Sequence, residues 1–160
     1  MLQVKLICVG RMRERFYMEA FEEYRKRLGA YCRFECVELA EQRLPEEPSA
    51  AQIRAALEKE AGEILRAVPQ DAFLTALCVE GKQVPSEAVA ELIAARENSG
   101  KPRLCFVIGG SFGLAESLKN RADLRLSMSK MTFPHHLARV MLAEQLYRGF
   151  KINQGSHYHK

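Results

Sequence analysis

The chain has 160 residues, of which 48% are apolar and 28% charged, with a net charge of +4. That length suits one domain around one hydrophobic core, and the balance excludes a disordered or fibrous chain. No apolar run approaches the roughly 20 residues that span a bilayer. Leu6–Val9 is too short for the apolar core of a signal peptide, and Arg11, Arg13 and Arg15 follow it directly; a cytoplasmic location with no membrane segment is expected.

Short apolar runs alternate with longer stretches of helical period. Residues 2–9 (LQVKLICV) read as a first strand. Tyr17, Phe21, Tyr24 and Leu28 recur at helical spacing, with Gly29 placed to stop that helix in a left-handed turn. Residues 33–39 (RFECVEL) alternate like a half-exposed strand, and Pro45 and Pro48 mark a loop. Ser49 and Gln52 form a capping box for a helix ending near Ala67. Residues 72–79 (AFLTALCV) read as a buried strand, after which Gly81 turns the chain and Ser86 caps a further helix. Residues 103–108 (RLCFVI) have the pattern of a central strand. The glycine-rich turn 109–113 (GGSFG), a short helix and the segment 122–127 (ADLRLS) lead to Pro134 and a final helix to about Ile152. The sum is an α/β domain with a mostly parallel sheet and helices on both faces.

The final helix is apolar around more than one stripe: Leu137, Val140, Met141, Leu142, Leu146 and Tyr147 do not share one face. One face is expected on the sheet and the other on a second subunit, giving a homodimer; a fully enclosed core helix is the alternative. The five cysteines are an odd count without paired spacing, so they read as small buried hydrophobes and not as disulfides. Charge is uneven. Residues 1–118 carry 16 basic and 18 acidic side chains, whereas residues 119–160 carry 8 and 2 together with all four histidines. A basic C-terminal quarter is a candidate face for a polyanion.

Ligands of open α/β sheets bind beyond the carboxyl ends of strands. Three segments qualify: Val79–Gly81, Ile108–Gly113 and Ser127–Phe133. The GGSFG turn is neither a Walker A loop nor GxGxxG. Ser111 lacks a nucleophile elbow, and His157 with His159 lacks the further ligands of a metal site, so no metal is expected.

The pieces KLICVGRMRE (5–14), EYRKRL (23–28), VIGGSFGL (107–114), LSMSKMTFPHHLARVMLAEQLYRGFKI (126–152) and YHK (158–160) together resemble the RlmH family of the SPOUT class. The resemblance runs essentially end to end. It implies a bacterial methyltransferase acting on N3 of a pseudouridine in 23S ribosomal RNA of the large subunit or assembled ribosome. It also implies a single domain, residues 1–160, whose C-terminal part is tied in a trefoil knot, a topology that strand patterning alone would not suggest. S-adenosylmethionine would be held by Leu77, Gly109 and the run Met128, Ser129, Lys130, Met131, Thr132 and Phe133. His135 and His159 are candidates for a base that removes the N3 proton, with Arg139 stabilising the resulting anion. Arg139, Tyr158, His159 and Lys160 would meet the RNA by stacking and charge. Two other classes fit the residues less well: a nucleotide-binding oxidoreductase, for which Asp123 is the only acidic residue in the expected stretch, and an RNA-binding module without catalysis.

Overall fold

A computed structural model describes residues 1–160. Ten elements alternate along the chain: β1 (Gln3–Val9), α1 (Arg15–Leu28), β2 (Arg33–Leu39), α2 (Ala50–Ala67), β3 (Phe73–Gln83), α3 (Ser86–Glu97), β4 (Arg103–Ile108), α4 (Glu116–Arg121), β5 (Leu124–Ser127) and α5 (His135–Asn153). All strand pairs are parallel, in the order β2-β1-β4-β3-β5. No helix is long and apolar enough to cross a membrane.

Period-two alternation divides the core between the two faces of the sheet. Leu6, Cys8, Leu104 and Phe106 point to one side, where Phe21 of α1, Ile93 of α3 and Leu142, Leu146 and Phe150 of α5 cover them. Ile7, Val9, Cys105 and Val107 point to the other, against Ala61 and Ile64 of α2 and Leu118 of α4. Strands enclosed on both faces have little need of polar residues, which is why β4 is apolar from Leu104 to Ile108. Cys8, Cys32 and Cys105 are buried, Cys36 and Cys78 are half-buried, and all five are free thiols.

The Ser49 capping box forms in full: Ser49 Oγ accepts the Gln52 amide at 3.1 Å, and Gln52 Oε1 accepts the Ser49 amide at 2.8 Å. Three local expectations need correction. Gly29 ends α1 in the right-handed region (φ −58°), its amide shared between the Arg25 and Lys26 carbonyls, so its capacity for a left-handed stop is unused. Ser86 is not a cap; Pro85 holds that position, and Ser86 Oγ donates across to Gln145 of α5 at 2.6 Å. Gly81 does not end β3. The strand continues to Gln83, and Leu77 and Lys82 both register on Leu126, so the four residues between them bulge out of the ladder. A Cβ at Gly81 would lie 2.8 Å from the backbone of Arg125 and Leu126, and only glycine permits that approach.

The apolar breadth of α5 is largely satisfied within the chain. The helix lies between α1 and α3 over the sheet, and no residue from His135 to Ile152 is fully exposed. What stays open is a cavity of about 510 Å³ between α3 and α5, with Val84, Leu92, Leu124 and Met141 among its walls.

Candidate functional site

Because β4 ends at Ile108 while β3 runs on, the carboxyl side of the sheet is stepped, and the bulge of β3 widens the step. A cavity of about 680 Å³ opens there. Its walls come mainly from the three segments singled out by sequence and the residues next to them: Val79 and Glu80 with Leu77 and Cys78 before them, Ile108–Gly113 with Leu114, and Met128, Ser129 and Met131–Phe133 of the loop after β5, whereas Gly81 and Ser127 stand outside. Leu77, Gly109, Met128, Ser129, Met131, Thr132 and Phe133 all line it, whereas Lys130 is exposed and stands outside.

Local chemistry shapes each wall. Gly110 and Gly113 pair with each other to fold the turn after β4, and Gly113 takes φ +81°, where glycine is favoured. Gly109 is required for a different reason: a Cβ there would lie 2.3 Å from the Gly113 carbonyl oxygen. Glu41, just past β2, braces the same turn by accepting the Ser111 amide at 3.0 Å. The loop after β5 is tied to itself, Ser127 Oγ donating to the Ser129 carbonyl at 2.9 Å and Ser129 Oγ accepting the Met131 amide at 3.0 Å. Lys119 reaches the cavity already paired with Glu80 and Glu116. Apolar walls with a few backbone polar groups form the usual setting for a small organic ligand. Val79, Phe112 and Met131 ring the mouth and are all exposed, Met131 to 72%.

Of the candidate bases, His135 lines the cavity and His159 does not. Burial, reinforced by the neighbouring His136, pulls the His135 pKa below its ordinary 6.5, so the ring is neutral near pH 7. His136 is turned away onto Glu14, with Nδ1 2.8 Å from the carboxylate, and this contact holds Glu14 below the usual carboxylate range. His159 sits on the outer side of α3 and α5, Nε2 2.8 Å from Glu87 and Nδ1 3.1 Å from Arg148. Tyr158 lies beside it, edge-on to Tyr147 and under the Arg148 guanidinium. Lys160 is exposed at the end of the chain. Within one chain the tail and the cavity are therefore separate.

Arg139 is not on the cavity surface. Its side chain is 3% exposed and donates to Glu38 at 2.6 Å and to the Gly10 carbonyl at 3.3 Å. Glu38 also accepts the Met12 amide at 2.9 Å. Partial burial pushes the Glu38 carboxyl up, but the Met12 amide and Arg139 outweigh it and hold the group below its ordinary range. Arg139 thus ties α5 to the ends of β1 and β2. Asp123, the acidic residue an oxidoreductase would need, is occupied elsewhere: its carboxylate accepts the Leu74 amide at 2.8 Å, near the start of β3. No group of three or more His, Cys, Asp or Glu side chains is placed to hold a metal ion.

Sequence reasoning did not single out Glu38 or Glu41. Both lie at the carboxyl end of β2, and acidic residues at that end of a parallel strand are the signal that could have marked them.

Comparison with known proteins agrees with this geometry. The sequence matches the family described as "Predicted SPOUT methyltransferase" over residues 2–159. It is 44% identical over 159 residues to proteins named "Ribosomal RNA large subunit methyltransferase H" from Streptococcus pyogenes, among them those of strains Manfredo and MGAS2096, covering 99% of this chain and 100% of each relative. In fold it is similar to a probable methyltransferase from Bordetella pertussis Tohama I (TM-score 0.62, 15% identity, 92% of this chain and 94% of that one). It is also similar to a probable methylase family protein from Haemophilus influenzae Rd KW20 (TM-score 0.56, 12% identity, 100% of this chain and 72% of that one). A cavity built by three strand-end loops, and a match from one end of the chain to the other, place this protein among the SPOUT methyltransferases, in the RlmH family.

Proposed function

We propose that residues 1–160 act as one domain that transfers a methyl group from S-adenosylmethionine to N3 of a pseudouridine in 23S ribosomal RNA of the large subunit. The observation that carries this reading is the 680 Å³ cavity at the strand ends, in a chain whose full-length relatives are named large-subunit ribosomal RNA methyltransferases. The residues present fit the donor. Leu77, Leu126, Met128 and Phe133 offer an apolar bed for an adenine, and the turn from Gly109 to Gly113 brings backbone polar groups within reach. When bound, the donor supplies a methyl group already activated on a sulfonium.

The chain's remaining tasks are positioning and proton removal. Holding the acceptor nitrogen in line contributes up to about 7–11 kcal/mol. An imide N3–H must lose its proton to become a nucleophile. His135, neutral and at the cavity wall, is the group placed to take it, a role worth about 10²–10⁴-fold. Arg139 supports this indirectly by fixing α5, whose first residue is His135, to β1 and β2. The trefoil knot of the family would involve the same three cavity segments.

The protein works as a homodimer in this reading. Support comes from the open apolar cavity between α3 and α5, which shares Leu126 and Met128 with the donor cavity, and from the exposed Val79, Phe112 and Met131 around the donor cavity's mouth. A dimer closed across these surfaces would carry Tyr158, His159 and Lys160 of one subunit toward the site and RNA of the other. Calorimetric titration with S-adenosylmethionine, paired with sedimentation at micromolar concentration, tests both parts. Stoichiometric binding by a dimer is expected. Absence of heat would overturn the donor assignment, and a well-folded monomer would overturn the dimer.

A further inference from the structure

A third cleft, of about 760 Å³, lies at the carboxyl ends of β1 and β2 and meets the donor cavity at His135, which lines both. Most of the side chains that line it are charged or are histidines. Gly10 opens it: φ +98° swings the chain away from the sheet after β1, and a Cβ at that point would be 3.9 Å from His135 Nε2. Met12 then turns inward, 8% exposed, which leaves Arg11 and Arg13 on either side of it facing out. Arg43 approaches from the loop after β2.

The charges in this cleft divide unequally. Each acidic side chain has an internal partner: Glu14 holds His136, Glu38 holds Arg139 and the Met12 amide, and Glu41 holds the Ser111 amide. Arg11, Arg13 and Arg43 are exposed and form no ion pair, unlike Arg15, which is engaged with Glu19. Three free guanidiniums therefore converge on one cleft, and planar guanidinium forks suit phosphate oxygens. The first 118 residues carry a slight excess of acid, so block charge hides this feature; the three carboxylates of the cleft, though accessible, are each hydrogen-bonded within the chain, and the three guanidiniums are not.

We infer that this cleft is a phosphate-binding track, in which Arg11, Arg13 and Arg43 hold the RNA backbone beside the target nucleotide so that its base enters the donor cavity past His135. The inference rests on the RNA methyltransferase reading above and adds to it the residues that grip the substrate.

The test compares the wild type, the triple variant Arg11→Gln/Arg13→Gln/Arg43→Gln, and the single variant Arg54→Gln on the exposed face of α2 as a control. Large-subunit ribosomal particles are the probe, with KM and affinity measured between 50 and 200 mM salt. Three lost phosphate contacts lower the slope of log affinity against log salt by about two to three, so the advantage of the wild type shrinks by about 20- to 40-fold across that range. The triple variant is expected to show that flattening with unchanged S-adenosylmethionine affinity, and Arg54→Gln is expected to match the wild type. An unaltered slope and KM in the triple variant would overturn the inference. A photoreactive side chain at position 43 should crosslink to RNA in the particle; crosslinks only to ribosomal protein would also overturn it. If the wild type itself neither binds nor methylates particles, the underlying function fails, an outcome distinct from a wild type that works and a triple variant that works equally well.

Discussion

Removing the carboxylate of Glu38 should destabilise the protein through Arg139. The guanidinium has 3% of its side chain exposed, and its partners are Glu38 at 2.6 Å and the Gly10 carbonyl at 3.3 Å; its Nε finds none. Stranding a buried charge costs about 3–5 kcal/mol. Here Glu38 is 39% exposed, so water can move into part of the space it leaves. That lowers the expected cost of Glu38→Ala to about 2–3 kcal/mol. For a chain of this size each kcal/mol moves the melting temperature by about 2–4 °C, so a fall of about 4–12 °C is expected by calorimetric or circular dichroism melting. Arg139→Met on its own removes the buried charge and leaves Glu38 a partly solvated anion, a smaller loss. In the double variant neither charge is stranded, and the loss should be well below the sum of the two single losses. Strict additivity, or a Glu38→Ala variant that melts like the wild type, would refute the reading of this pair as the tie between α5 and the ends of β1 and β2.

Gly109→Ala places a Cβ 2.3 Å from the Gly113 carbonyl oxygen and 2.6 Å from its carbon, both backbone atoms, so the turn itself must shift. The expected cost is about 1–3 kcal/mol, with weakened S-adenosylmethionine binding; unchanged melting and unchanged affinity would refute the packing argument. Methyl transfer should fall on acidification with a midpoint below 6.5, since the His135 pKa is lowered by burial and by His136 and the ring is lost as a base only once protonated. The same shift lowers stability in acid, because below 6.5 the unfolded imidazole takes a proton more readily than the folded one. His135→Gln should remove the acid limb and about 10²–10⁴-fold of turnover; an unchanged profile would exclude His135 as the base. Deleting Tyr158–Lys160 breaks surface or half-buried contacts to Glu87, Glu144 and Arg148 and the edge-on packing of Tyr158 on Tyr147, so melting should fall only modestly. Methyl transfer should be abolished with donor affinity retained, and normal transfer by the truncated chain would show that the tail plays no part.

The element pattern was legible because hydrophobic period reports directly on which faces are covered. β1 from Leu6 and β4 from Leu104 are apolar on both faces because helices lie on both, and the Ser49–Gln52 box marks the start of α2 to the residue. The three cavity segments were also legible, since strand ends followed by small residues point to the rim of a parallel sheet. Contacts between residues far apart in the chain were not. Arg139 reads as a cation free for RNA in a basic C-terminal quarter, but Glu38 lies 101 residues away in sequence and claims it. The continuation of β3 through Gly81 was hidden for a related reason: that glycine's role is set by the backbone of Arg125 and Leu126 and not by its neighbours in sequence. The breadth of α5 suggested a partner subunit, whereas α1 and α3 supply much of the cover. The arginine-bearing cleft is not legible in sequence, because Arg11, Arg13 and Arg43 are scattered among glutamates and stand out only once each of those glutamates has a hydrogen-bond partner within the chain.

The most direct test of the central claim follows the methyl group. The protein is incubated with S-adenosylmethionine carrying a labelled methyl and with large-subunit ribosomal particles whose RNA contains pseudouridine, and the RNA is digested to nucleosides and analysed by mass spectrometry. The account predicts one labelled product, a pseudouridine methylated at N3, which is absent from particles lacking pseudouridine. Label on a ribose oxygen, on an ordinary uridine or on ribosomal protein, or no transfer by a protein that binds the donor, would contradict it.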